Sequence, residues 1–89
     1  NDLHFEFARR IHLKYGITVD DYRGMRDEQN GRCAICGVMP DERLLVDHDH
    51  ESGKVRALLC RKCNSAIGYL GDSSAVVGRA FEYLLKWDK

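Results

Sequence analysis

Two pairs of cysteines constrain the fold of this chain more than any other feature. Cys33 and Cys36 are separated by two residues, and the same spacing recurs at Cys60 and Cys63. This spacing allows a tight turn that aims both sulfurs at one cation, and Zn²⁺ takes four such ligands in a tetrahedron. Gly37 follows the first pair, where such a turn often needs a positive φ. The spacing therefore predicts a structural zinc site.

Disulfides and a redox motif are the alternatives for these cysteines. Disulfides form in oxidising compartments, which proteins reach by means of a secretion signal. No N-terminal segment has the charged region followed by an apolar region that is typical of such a signal, so we expect reduced thiols and an intracellular protein. A thioredoxin-type motif accompanies a βαβ pattern, which neither pair does. A site closed by four thiolates leaves no position for substrate, so the zinc would account for folding rather than activity.

Length and composition limit the possible functions. The chain has 89 residues, where a hydrophobic core alone gives marginal stability. Lys and Arg total 14, as do Asp and Glu, so the net charge is zero. This excludes a globally basic nucleic-acid binder but not a local basic patch. The 44% hydrophobic content excludes a disordered tail, and no apolar run approaches the roughly 20 residues of a membrane span.

Two helices are predicted before the first cysteine pair. The first, over residues 3–15, carries an apolar residue at every fourth position. The second, over about 19–29, follows Thr18 and Asp21, which have the spacing of a capping box. The side chains expected to be buried are Leu3, Phe7, Ile11 and Tyr15 in the first helix and Val19, Tyr22 and Met25 in the second.

A hairpin and two further helices are predicted for the rest of the chain. Apolar runs at residues 44–46 and 55–59 indicate two strands joined by a Ser-Gly turn. A short helix would open at Asn64, and a last helix over 74–87 would be capped by Ser73. The side chains that this last helix would turn inward are Val76, Val77, Ala80, Phe81, Leu84 and Leu85.

Together these elements predict the fold class and the domain organisation. Helices around one hairpin make a small α+β domain stapled by zinc. We expect a single domain over residues 1–89, with a core at 31–71 and helical flanks at 3–29 and 73–87.

The residues that carry chemistry lie between the cysteine pairs. Asp47, His48, Asp49 and His50 form a polar run at the end of the first predicted strand, and Asn64 follows 14 residues after His50. A domain with little core has no structural use for such a cluster. His and Asp are residues of proton transfer and of hard-metal coordination, so the run is a candidate active site.

Several segments together resemble the phage recombination endonuclease VII family, a branch of the HNH or His-Me finger (ββα-metal) nucleases. They are the first cysteine pair, Leu-Val-Asp-His-Asp-His at 45–50, Gly-Lys-Val-Arg at 53–56 and Leu-Leu-Cys-Arg-Lys-Cys-Asn at 58–64, with Tyr-Gly-Ile-Thr at 15–18 and Gly-Arg-Cys at 31–33. The resemblance covers about residues 14–71. It implies a ββα-metal fold and a metal-dependent DNA endonuclease of phage or bacterial origin.

The resemblance also implies a role for each candidate residue. Asp47 and Asn64 would hold a catalytic Mg²⁺ or Mn²⁺, and His48 would be the general base. His50 matches the family's second histidine, which we interpret as contacting phosphate or ordering the site. The four cysteines match the zinc ligands. Some relatives carry a carboxylate one helical turn beyond the asparagine, and here that position is Ile67.

The residues themselves agree with that chemistry under one geometric condition. Mg²⁺ prefers oxygen ligands and takes one or two protein groups plus substrate phosphate, which suits the Asp47 carboxylate and the Asn64 carbonyl. Neighbouring residues of a regular strand face opposite ways, so Asp47 and His48 share a site only if the strand ends or twists there. His50, on the same face as His48, is the second choice for the base.

Each candidate also has a plainer structural interpretation. Asn64 could simply cap the helix after the second cysteine pair. His48 and His50 could be structural histidines, and Asp49 is expected to face solvent. The two histidines of the first predicted helix, His4 and His12, are expected at the surface.

A local basic patch lies beside the candidate site. Lys54, Arg56, Arg61 and Lys62 occur within nine residues that contain no acid. They are predicted to contact DNA phosphates, with Arg56 foremost because a guanidinium binds phosphate bidentately. The alternative is a solvated strand edge. Nothing resembles a base-reading helix, so little sequence specificity is expected.

Two functions follow from these observations. The first is a DNA endonuclease using one divalent cation. The second is a non-enzymatic zinc module that binds nucleic acid or a protein, which would need the cysteines and basic residues but not Asp47, His48 or Asn64. The sequence leaves open the structure of the DNA substrate, the choice between DNA and RNA, and whether the protein is a monomer or a homodimer.

Overall fold

The structure, a computed structural model, describes residues 5–88 and forms a small α+β fold. The two strands pair antiparallel in one hairpin, as predicted. Among the residues described, no helix is long and apolar enough to cross a membrane. In chain order the elements are α1 (Phe5–Tyr15), α2 (Val19–Glu28), β1 (Leu45–His48), β2 (Val55–Leu59), α3 (Arg61–Tyr69) and α4 (Ser74–Trp87).

The first two helices form where the sequence predicts them and supply part of the core. Leu3 and His4 lie outside the described residues, while Phe7 and Ile11 of α1 are buried. The Phe7 ring meets the fully buried Tyr22 of α2 edge-on, with 5.1 Å between ring centroids. Tyr22 also donates its hydroxyl to the Leu44 carbonyl at 2.7 Å, which ties α2 to the chain before β1.

The start of α2 is fixed by the predicted capping box. The Thr18 backbone N–H donates to the Asp21 carboxylate at 2.9 Å, and the Asp21 N–H donates back to the Thr18 hydroxyl at 3.0 Å. Two N–H groups that helix geometry leaves without partners are satisfied in this way.

Gln29, the C-cap of α2, connects this helix to β2. Its amide oxygen accepts from the Leu58 N–H at 2.9 Å, and its amide nitrogen donates to the Leu58 carbonyl at 2.9 Å and to the Arg32 carbonyl at 2.7 Å. The Ala34 N–H, in the first cysteine turn, also donates to the Leu58 carbonyl at 3.1 Å. One fully buried residue of β2 thus joins α2, the hairpin and the first cysteine turn.

The hairpin contains a bulge beside the candidate active site. In the strand register Asp47 is opposite Ala57, but the next pair is His48 with Val55. Arg56 of β2 is therefore the extra residue of the bulge, with no residue of β1 opposite it. A bulge of this kind kinks the strand and redirects side chains. β1 also continues to His48, two residues beyond the predicted strand.

The helix after the second cysteine pair begins earlier than predicted. α3 starts at Arg61 rather than Asn64, and its N-cap is Cys60, whose sulfur accepts from the Cys63 N–H at 3.4 Å. The second cysteine turn is therefore the first turn of α3. Asn64 lies inside the helix, with its N–H donating to the Cys60 carbonyl at 2.9 Å, so the alternative interpretation of Asn64 as the helix cap is wrong.

The inward apolar face predicted for α4 is wrong, although the helix itself and its Ser73 cap are confirmed. No residue of α4 is buried; Phe81 is 62% exposed and Leu84 58%. Periodicity predicts an amphipathic helix but not what it packs against. Among the described residues the core is closed by other segments; its members are Phe7, Ile11, Tyr22, Cys33, Leu44, Val46, Leu58, Leu59 and Cys60.

Candidate metal centre and active site

The four predicted zinc ligands converge at one point. The sulfurs of Cys33, Cys36, Cys60 and Cys63 all lie within 4.8 Å of one another, and those of Cys36 and Cys60 are 3.9 Å apart. None of the four forms a disulfide. A tetrahedral zinc with bonds of about 2.3 Å places its sulfurs about 3.8 Å apart. The cluster therefore fits a structural metal such as zinc.

Local turns aim these sulfurs inward. In the first turn the Ile35 N–H donates to the Cys33 sulfur at 3.4 Å, and Gly37 takes the positive φ, +75°, that the sequence predicted. The Gly37 N–H closes the turn on the Cys33 carbonyl at 3.0 Å. The hairpin then returns the chain so that the second turn, at the start of α3, faces the first.

The electrostatics of the cluster suit a shared cation. Burial opposes ionisation of Cys33, yet N–H groups around its sulfur lower the pKa of this thiol to about 6. Burial and the neighbouring sulfurs raise the pKa of Cys63 to about 12. Metal ligation requires thiolates, so binding of a cation here would be coupled to proton release.

Asp47 belongs to a second cluster, in which Arg56 bridges two carboxylates. Arg56 Nε donates to Asp47 Oδ2 at 2.6 Å and Nη2 donates to Asp47 Oδ1 at 3.1 Å. On its other edge, Nη1 and Nη2 donate to the Asp72 carboxylate at 3.2 and 3.0 Å. Asp47 is only 8% exposed, and it is the one buried charged residue among those described.

Ion pairs with carboxylates engage two of the four residues predicted to contact phosphate, Arg56 and Arg61. The hydrogen bonds to Asp47 and Asp72 raise the pKa of Arg56, and those to Glu42 raise the pKa of Arg61. Arg61 Nη2 lies 2.7 Å from the Glu42 carboxylate. Both guanidinium groups are therefore already paired with carboxylates. The remaining members, Lys54 and Lys62, are exposed and form no ion pair within residues 5–88.

The candidate histidines pack edge-on against each other, and His48 also meets an aromatic residue of α1 at a tilt. The rings of His48 and His50 lie 5.0 Å apart between centroids, and Tyr15 approaches His48 at 5.3 Å. Tyr15 therefore contacts the candidate base, a role that its apolar periodicity in α1 did not indicate.

A cavity of about 350 Å³ lies between His50 and the carboxylate cluster. His50, Arg56 and Asp72 all line it, together with the residues of the hairpin turn. A second cavity is lined by Asp47 and by Ile67, which lies one helical turn beyond Asn64 on α3. Asp47 and His50 thus line different cavities, which share Arg56 and Asp72, and neither His48 nor Asn64 lines either of the two.

Asn64 is partly exposed, and its side chain makes no hydrogen bond to the described residues. Across residues 5–88, the cysteines are the only group of three or more His, Cys, Asp or Glu side chains close enough to share an ion. Asp47 and Asn64 would supply two oxygen ligands. A second cation there would take its remaining ligands from water and substrate, as Mg²⁺ commonly does.

Comparison with known proteins identifies the family. A family profile described as recombination endonuclease VII matches residues 8–86. The chain belongs to the recombination endonuclease VII family. Its relatives include the Gene 59 protein of Mycobacterium phage L5, 47% identical over 79 residues, and that of Mycobacterium phage D29, 45% identical over 80 residues.

The matches to these two relatives cover 85% and 86% of this chain but 48% of each relative, so the chain spans about half their length. No solved structure matches the chain. This membership confirms the resemblance seen in the cysteine and histidine motifs.

Proposed function

We propose that this chain is a DNA endonuclease of the HNH, or His-Me finger, type, which hydrolyses phosphodiester bonds with His48 as general base and one divalent cation. The observation that carries the proposal is the bulge in β2 opposite the end of β1. A regular strand would turn Asp47 and His48 to opposite faces, and the distortion that this bulge brings to the hairpin would let both serve one site.

Asp47 and Asn64 would hold the catalytic Mg²⁺ or Mn²⁺. A carboxylate and an amide oxygen are the hard donors that these cations prefer. The cation would polarise the scissile phosphate and stabilise the departing oxygen. Asn64 supports this role because its side chain is not engaged by the described residues, whereas Asp47 would have to exchange its bond to Arg56.

His48 would start hydrolysis by taking a proton from the attacking water. The water oxygen bonds to phosphorus, the bond from phosphorus to the departing sugar oxygen breaks, and that oxygen takes up a proton from solvent. A positioned base of this kind contributes roughly 10²–10⁴-fold in rate. Tyr15 and His50, packed against the His48 ring, would restrict its orientation.

DNA is the proposed partner. Lys54 lies in the hairpin turn and Lys62 beside the cysteine cluster, and both are exposed without an ion pair to residues 5–88. Arg56 and Arg61 would reach phosphate only by leaving their carboxylate partners. Contacts of this kind position a duplex without reading its sequence. A phage nuclease of this type would act inside the infected cell.

A non-enzymatic zinc module is the second candidate, and one observation favours it. The Asp47 carboxylate is bound on both oxygens by Arg56, which is how a purely structural ion pair would look. This alternative retains the cysteine cluster and the surface lysines but requires nothing of His48.

Replacement of His48 separates the two candidates. Zinc-loaded wild-type protein is incubated with supercoiled plasmid and Mg²⁺, beside His48→Ala and, as a matched control, His12→Ala on the exposed side of α1. We expect His48→Ala to lose roughly 100-fold or more of the nicking rate with unchanged zinc content, and His12→Ala to cut normally. Nicking by His48→Ala at the wild-type rate would contradict the proposal.

A further inference from the structure

The guanidinium of Arg56 is held along two separate edges. The Nε and Nη2 edge forms a bidentate pair with Asp47, and the Nη1 and Nη2 edge forms another with Asp72. Arginine carries five N–H donors, and four of them are used here. The cluster of two carboxylates and one guanidinium has a net charge of −1.

Asp72 owes its position to the turn between α3 and α4. It has a positive φ of +54° and follows Gly71 at +74°. Its N–H donates to the Ile67 carbonyl at 2.8 Å, and the next residue, Ser73, caps α4. Asp tolerates this left-handed backbone better than most residues. The turn therefore presents the Asp72 carboxylate to Arg56 independently of the hairpin.

The two edges differ in what they would do at the proposed catalytic site. Asp47 is the proposed cation ligand, and a cation on it would displace the Nε and Nη2 edge of Arg56. Asp72 binds the other edge, so Arg56 would remain beside Asp47 rather than leave for solvent. The edge released from Asp47 is the one that can form a bidentate pair with a phosphate.

We propose that Asp72 is a positioning residue, which holds Arg56 beside Asp47 so that the guanidinium can exchange the Asp47 carboxylate for a substrate phosphate when a divalent cation binds. This inference rests on the proposed nuclease function. It gives Arg56 two alternating partners and makes Asp72 the fixed one.

Binding of Mn²⁺ to the zinc-loaded protein without DNA tests this arrangement. Asp72→Asn keeps a residue that accepts the left-handed turn but removes a negative charge, so Mn²⁺ affinity should fall roughly tenfold. Arg56→Gln removes the competing cation, so Mn²⁺ affinity should rise roughly tenfold while DNA nicking falls. Glu42→Gln, which breaks the separate pair with Arg61, is the matched control and should leave Mn²⁺ affinity unchanged.

The test lies in the opposite changes of Mn²⁺ affinity that are expected for Asp72→Asn and Arg56→Gln, because loss of local structure would weaken Mn²⁺ binding in both variants. Equal affinities in the wild type, Asp72→Asn and Arg56→Gln, or weaker binding by Arg56→Gln, would overturn the inference, as would no Mn²⁺ binding to the wild type at millimolar concentration. If Asp72→Asn loses its zinc or its helical circular dichroism, Asp72→Gly, which also accepts the left-handed turn, is measured in its place. Plasmid nicking by the wild type is scored separately, so a nuclease with unresponsive Mn²⁺ affinity would refute only the role of Asp72.

Discussion

Replacement of Gln29 by alanine tests how the hairpin that carries the site is held to the helices. The Gln29 amide makes both hydrogen bonds to the backbone of Leu58, a residue with 0% exposure, and a third to the Arg32 carbonyl. The Leu58 carbonyl keeps a bond from Ala34, but its N–H would be left buried without a partner. An orphaned buried donor costs about 1–3 kcal/mol, so we expect a loss of about 2 kcal/mol.

Urea unfolding of the zinc-loaded protein, followed by circular dichroism, measures this loss. With a slope of about 1–3 kcal/mol per molar urea, a loss of about 2 kcal/mol lowers the midpoint by roughly 1 M. Glu28→Ala, the preceding exposed position, is the control and should shift the free energy of unfolding by less than about 0.5 kcal/mol. If Gln29→Ala behaves like Glu28→Ala, the reasoning about the Leu58 N–H is refuted.

Three further predictions concern the zinc, the core and the hairpin turn. Chelation of the zinc should abolish cooperative unfolding by heat, because two of the cysteines belong to the small core; a sharp transition in the chelated protein would contradict this. Tyr22→Phe should lower the free energy of unfolding in urea by about 1–3 kcal/mol, since the buried Leu44 carbonyl loses its donor; an unchanged midpoint would argue against that bond. The Glu51 N–H lowers the pKa of Asp49 below its ordinary value of 3.8, so its ionised form stabilises the fold above that pH and the contribution disappears as the pH falls through the lowered value. Wild type should therefore lose more stability than Asp49→Asn below about pH 4, and parallel pH profiles in urea would contradict the assignment.

Local signals predicted most of the elements of this fold. The capping box at Thr18 and the Ser73 cap each act over one helical turn, and the apolar stripe of α1 repeats at every fourth residue, so all three could be predicted from neighbouring residues. The two cysteine spacings likewise predicted that the four sulfurs form a single cluster, as they do. Features encoded within a few residues could be predicted.

Features that depend on distant partners could not. The apolar residues of α4 have a helical period, but the sequence of α4 does not indicate that the other elements close the core without this helix. α3 begins at Arg61 because the Cys60 sulfur serves as its N-cap. The cysteine spacing predicted a metal ligand at Cys60 but not a helix cap.

The candidate site shows the same division. The run from Asp47 to His50 was visible as a cluster, but the bulge opposite it was not, because it arises from the pairing of two strands. Asp72 lies 16 residues beyond Arg56, and only the turn after α3 brings the two together. A guanidinium predicted to bind phosphate is therefore found between two carboxylates.

Metal-dependent cleavage of DNA is the measurement closest to the central claim. Zinc-loaded protein is given branched and linear DNA in parallel, with Mg²⁺ or with EDTA, and the products are resolved on denaturing gels with their ends identified. We predict cuts that need Mg²⁺ and that leave the zinc in place. Intact DNA of both forms at high protein and Mg²⁺ concentrations would contradict the assignment of Asp47, His48 and Asn64 as a nuclease site.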